Sequence, residues 1–112
     1  MATVRTCTTP EDGWALYSHF LGNGLLAIQL QADTRKQENV ADCNACQSVI
    51  DKAWYRLVGA LYVIKWRMSS WGHVQTAIDM AEIINMVVEM DVTDPEVRLL
   101  IHEKYTKLNL RR

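Results

Sequence analysis

The sequence predicts an all-α fold, a single-domain bundle of about four helices with a long, central second helix. Three observations carry this. Apolar residues recur at 3.6-residue spacing through four segments, no segment alternates with period two over a useful length, and the only two prolines stand beside helix-start signals.

Thr9-Pro10-Glu11-Asp12 opens the first helix. Thr9 can cap it, Pro10 suits the first helical position, and the two acids favour the positive end of the helix dipole. Trp14, Leu16, Tyr17, Phe20 and Leu21 give it an apolar side. Gly22-Asn23-Gly24 follows, and two glycines cost about 1 kcal/mol each relative to alanine. A break or kink is expected there, then a continuation through Leu25, Leu26, Ile28 and Leu30. The polar run from Asp33 to Asn39 reads as the loop.

The second helix is expected from about Asn39 to Met68. Cys43, Cys46, Ile50, Ala53, Trp54, Leu57, Ala60, Leu61, Ile64 and Met68 fall in one stripe at ~100° per residue. A β-branched cluster at Val58, Val63 and Ile64 would suit a strand, but the sustained helical period outweighs it. Ser69-Ser70-Trp71-Gly72 is the expected turn, with Ser69 or Ser70 as the next cap. The third helix, about Trp71 to Met90, carries Val74, Ala77, Met80, Ala81, Ile84, Val87 and Val88 on one side, and Asp79, Glu82 and Glu89 on the other. The fourth opens at Thr93-Asp94-Pro95-Glu96, where Thr93 and Glu96 have capping-box spacing. Its stripe is Val97, Leu100, Ile101, Tyr105 and Leu108, and Lys104, Lys107, Arg111 and Arg112 suit its C-terminal end.

The 112 residues fit one domain, residues 1–112, with residues 1–8 expected as a short flexible lead. Apolar residues at 49% and charged ones at 22% match ordinary globular composition. A net charge of −1 gives no global field to recruit nucleic acid or anionic membrane, so electrostatic binding needs a local patch. MATVRTCTTPEDG lacks the basic start and apolar run of a signal peptide, and no stretch approaches the roughly 18 apolar residues of a membrane span. Three cysteines, Cys7, Cys43 and Cys46, make an odd count, which argues against a disulfide framework. The expected location is therefore reducing, cytoplasmic or nuclear, with no membrane contact.

Candidate chemistry is thin. Cys43-x-x-Cys46 puts two thiols on one helical face, but a closed zinc site needs two more ligands; His73 and Cys7 are the nearest offers. Both cysteines also lie on the apolar stripe, where free cysteine commonly packs as a core residue. His19, His73 and His102 are scattered, and no nucleophile or orienting carboxylate is placed beside them by spacing. Asp79, Glu82, Glu89 and Asp91 resemble the carboxylates that hold Mg²⁺ in helical nucleotide hydrolases. The second helix answers them only with Asp42 and Asp51, so a solvated acidic face is expected instead. P-loop, GxGxxG and nucleophile-elbow patterns are missing. No catalytic residue, metal ligand or cofactor is expected, and a helical-bundle metal-dependent hydrolase is a distant alternative.

The outer side of the second helix is the feature that calls for a function. Lys52, Tyr55, Arg56, Gly59, Tyr62, Val63, Trp66 and Arg67 gather in an arc of roughly 140° facing away from the stripe. One reading is that the first or fourth helix packs over part of this arc. A second is a protein interface, since Tyr, Trp and Arg are enriched in such surfaces. A third is nucleic acid, with cations on phosphates, rings against bases or sugars, and Gly59 admitting a backbone. Three or four phosphate contacts would give a duplex salt slope of only about −3. Protein contact therefore leads, in a non-enzymatic accessory module that forms a homodimer. Duplex RNA binding by the same face is the alternative.

Overall fold

A computed structural model describes residues 8–37 and 44–110, with the side chains of residues 35–37 and 44–46 left aside. It is all-α: α1 spans Pro10–Gln37, α2 Asn44–Ser70, α3 Val74–Glu89 and α4 Pro95–Leu110. α2 lies between α1 and α3, while α4 closes the end of the bundle against α3 and α1. The expected α2 start with Asp42 and Cys43, the Cys46 side chain, Arg111 and Arg112, and nearly all of the N-terminal lead lie outside what is described.

The start of α1 is built as its sequence suggests. Thr9 Oγ1 accepts a hydrogen bond from the Asp12 N–H at 3.2 Å, and Asp12 Oδ2 accepts one from the Thr9 N–H at 3.1 Å. This reciprocal pair satisfies two of the donors that a helix N-terminus leaves open. Asp12 also accepts from the Thr8 N–H and hydroxyl, and these bonds, led by the Thr8 N–H, hold its carboxyl below the ordinary carboxylate range.

The expected break at Gly22-Asn23-Gly24 does not occur. α1 runs for 28 residues without interruption, because its buried stripe of Tyr17, Leu21, Leu25, Ile28 and Ala32 continues straight across the glycines. Gly24 has a packing role: a Cβ there would lie 2.8 Å from Leu57 Cδ1, so its absence lets α1 and α2 approach closely. Packing outweighs the intrinsic cost of the glycines. The polar run after Leu30 also stays helical as far as Gln37, since it contains neither glycine nor proline and follows a seated Ala32.

α2 ends two residues later than expected, and Gly72 explains the following boundary. Its φ of 88° is left-handed, its N–H donates to the Ser69 carbonyl at 3.0 Å, and the His73 N–H donates to the Met68 carbonyl at 2.9 Å. This is a Schellman stop. α3 therefore begins at Val74 rather than Trp71, and neither serine caps it: Ser70 Oγ donates backward to the Arg67 carbonyl, while His73 holds the cap position without a side-chain bond. At α4 the cap is Asp94, whose Oδ1 accepts from the Glu96 N–H at 2.9 Å. The expected Thr93–Glu96 box is replaced because Thr93 bonds Asp91 instead.

One core joins all four helices, with Leu21, Leu25, Ile28, Leu61, Ile64, Met68, Met80, Ile83, Ile84 and Ile101 enclosed. The sequence wheel misplaced several flanking residues. Asp79 is buried and accepts from Gln75 Nε2 at 3.0 Å, so the solvated-face reading fails for it; Ile83 joins the core, and Val74, Val88 and Leu100 face outward. The buried arc of α3 is centred on Met80, Ile83, Ile84 and Val87, which leaves Val74 and Val88 at the edge of the expected stripe in solvent. Glu82 instead pairs with Lys104 at 2.8 Å, and Arg98 Nη1 donates to Gln29 Oε1 at 3.1 Å, tying α4 to α3 and α1. The ion pair is partly exposed and contributes about 0–1 kcal/mol.

Tyr17 locks α1 to α3. Its buried hydroxyl donates to the Met80 carbonyl at 2.7 Å, and its ring stacks with Tyr105 of α4 at 6.3 Å. Burial, and secondarily Tyr105, pushes its phenol well above the usual value of 10.0. A raised pKa keeps the folded state protonated. Tyr17 thus leaves stability intact below pH 10 and reduces it above, where the unfolded phenol ionises first, at up to about 1.4 kcal/mol per pH unit. Alkaline melts should show this loss for the wild type and a shallower one for Tyr17→Phe. The variant should cost about 0.5–1.5 kcal/mol at neutral pH. Equal alkaline slopes would contradict the assignment.

Candidate functional site

The outer face of α2 is where exposed rings and cations collect. Ile50, Leu57, Leu61, Ile64 and Met68 turn inward and fix the helix's rotation. On one flank Leu57 meets Gly24 of α1; on the other, Trp54 Nε1 donates to the Val87 carbonyl of α3 at 3.2 Å. Both neighbours sit behind α2, so its opposite meridian is open to solvent.

Among the described residues, the reading in which another helix packs over part of this face fails at Tyr55 and Trp66. Tyr55 is 68% exposed and Trp66 61% exposed. Lys52, Arg56 and Gly59 are exposed too, Tyr62 and Arg67 are half-buried, and Val63 lies at the exposed margin. All eight expected face residues thus reach one surface. Tyr62 rests partly on the core, which anchors it. Its ring lies 5.9 Å from that of Trp66, and Lys65 Nζ stands 5.9 Å from the Tyr62 centroid on the far side of the strip. Tyr55 packs edge-on against Trp54 at 5.0 Å. Each of the three rings therefore has a neighbouring ring within the chain.

The face extends further than the sequence suggested. A groove of about 390 Å³ opens between α2 and α3, with Lys65 and Ser69 on one wall and Val74, Ala77, Ile78 and Ala81 on the other. Lys65 both lines it and reaches over Tyr62, so the groove borders the aromatic strip. Val74 and Ile78 are exposed apolar residues. The strict apolar-in pattern expected for α3 hid this second patch; the signal was present in a stripe too wide for one core contact.

The remaining candidates do not converge. His19 bonds Asn23 and packs edge-on against Phe20, while His73 sits in the α2–α3 turn. His102 on α4 is held below the ordinary imidazole range by burial and by the Arg98 charge. Asp91 serves the turn before α4, and Asp79 and Glu82 have the partners already described. Among the described residues, no three His, Cys, Asp or Glu side chains gather closely enough to share a metal ion. No described helix is long and apolar enough to cross a membrane. Compared with known protein families, characterised proteins and solved structures, the chain has no match.

Proposed function

We propose that this chain is a small, non-enzymatic binding module that acts through protein–protein contact, assembled as a homodimer. The observation that carries this is the exposure of Tyr55 and Trp66 beside an anchored Tyr62 on α2. A bundle of this size has no folding use for two large rings in water, and Tyr, Trp and Arg are the residues in which interface energy concentrates. Lys52, Arg56 and Arg67 frame the rings, and Gly59 leaves the centre of the face low. An accessory protein that occupies a surface of a larger assembly fits this description.

Duplex RNA is the competing occupant, favoured by the row of cations. The two differ in salt response, because phosphate binding releases counterions and ring burial does not. The test is absolute mass in solution at two salt concentrations, with and without a short RNA duplex. The expected result is twice 12.8 kDa at both salts, unaltered by RNA. A monomer that gains mass only with RNA, and loses it in high salt, would overturn the proposal. In the same assay Arg56→Glu with Arg67→Glu would abolish binding of every RNA duplex if phosphate were the occupant.

A further inference from the structure

The contact face is built as two strips on either side of one glycine. Around α2, Tyr55, Tyr62 and Trp66 lie roughly 20–60° to one side of the Gly59 meridian, and Lys52, Arg56, Val63 and Arg67 roughly 20–80° to the other. Gly59 itself is unexplained by the fold. A Cβ there would meet nothing within 4 Å, whereas at Gly24 it would strike Leu57 at 2.8 Å. Glycine within a helix is destabilising relative to alanine; Gly22 of α1 is equally free of neighbours but half-buried, whereas Gly59 stands bare at the centre of an exposed face, where a partner backbone can approach closely.

We infer that the occupant of this face is a second copy of the chain, with the two α2 helices parallel and closest at Gly59, an inference that rests on the protein-contact reading above. A two-fold axis along the helices carries each strip to the opposite side of the seam. The rings of one copy then face the cations of the other. The heights agree as well, because each ring is followed by its complement at the next residue: Tyr55-Arg56, Tyr62-Val63 and Trp66-Arg67. One residue is about 1.5 Å of rise, well within the width of a ring. Arg56 of one copy thus meets Tyr55 of the other, Arg67 meets Trp66, and the Tyr62–Val63 couple is apolar. Each cation over a ring face is a favourable electrostatic contact.

The other two-fold arrangement is less suited. An axis perpendicular to α2 makes the helices antiparallel and returns each strip to its own kind, setting Lys52 and Arg67 of the two copies side by side. Like charges across an interface disfavour that pairing, which symmetry repeats at both ends of the antiparallel seam, whereas the parallel arrangement brings like charges together only at Lys52. The parallel arrangement needs nothing that the chain does not supply, as a self-complementary two-fold interface requires. A single helix seam is small for a specific interface, so the dissociation constant should be micromolar.

Three measurements on the full chain test this. Gly59→Leu should keep its helix content, having no neighbour to strike, yet raise the dissociation constant about tenfold or more. Gly59→Ala should melt higher than wild type at concentrations where both are monomeric. Lys52→Cys under mild oxidation should give a covalent dimer quickly, above the wild-type background from the native cysteines. In the antiparallel arrangement the two substituted positions lie roughly 21 Å apart along the axis, too far for a disulfide. A dimer that tolerates Gly59→Leu and gives no Lys52→Cys cross-link overturns this arrangement while leaving protein contact as the mode of action. A mass of 12.8 kDa at every concentration overturns both.

Discussion

Replacing Leu61 with alanine should destabilise the fold by about 2–5 kcal/mol, a large share of what a domain of this size possesses. Leu61 is fully buried, on the same side of α2 as Leu57, Ile64 and Met68, at the centre of the one core that joins all four helices. The cost has two parts, the lost transfer of the side chain out of water and the cavity left where helices from both flanks converge. α2 is held between α1 and α3, which limits how far the site can collapse, so the upper part of the range is expected. Urea denaturation under monomeric conditions would measure it as a lower midpoint with an unchanged slope. A loss below about 1 kcal/mol would mean that the core is not packed around this helix as described.

Trp66→Ala, five residues further along the same helix, should do the opposite. Its ring is 61% exposed and touches Tyr62 at 5.9 Å, so the fold should change by no more than about 0.5 kcal/mol. Self-association should weaken by about 2 kcal/mol or more, the scale of an interface hot spot, or roughly thirtyfold in the dissociation constant. Tyr62→Ala would be a poorer probe, because that ring also rests on the core. Denaturation and concentration-dependent mass, run on one preparation, separate the two effects. Unfolding of Trp66→Ala would mean that the ring serves the bundle and not a partner.

These two residues also show how much was legible in the sequence. The inner side of α2 could be read directly, because Leu57, Leu61, Ile64 and Met68 repeat at helical spacing and a core needs them together. The outer face could be placed on the wheel as well. Its exposure could not, since apolar and aromatic residues opposite a stripe fit either a buried central helix or an interface. Only the positions of α1 and α3, both behind α2, decide that. The continuity of α1 through Gly22 and Gly24 was hidden for a related reason. Local propensity argues for a break, and the contact that overrides it, Leu57 in the space left by Gly24, comes from another helix. The α3 boundary was local chemistry misassigned: Gly72 in Ser69-Ser70-Trp71-Gly72 is the stop of α2, and the serines belong to that helix's last turn rather than to the next cap. Burial of Asp79 and exposure of Val88 and Leu100 followed from rotations of α3 and α4 that period alone does not fix to better than a residue.

The central claim, that the outer face of α2 is a protein-contact surface, is tested most directly by hydroxyl-radical footprinting across a concentration series. Reactivity is read residue by residue, below and above the dissociation constant. Tyr55, Tyr62 and Trp66 should become protected as concentration rises, while Leu99 and Leu110, exposed on α4 away from this face, should keep their reactivity. Rings on α2 that stay equally reactive at all concentrations, or protection that falls on α4 instead, would contradict it.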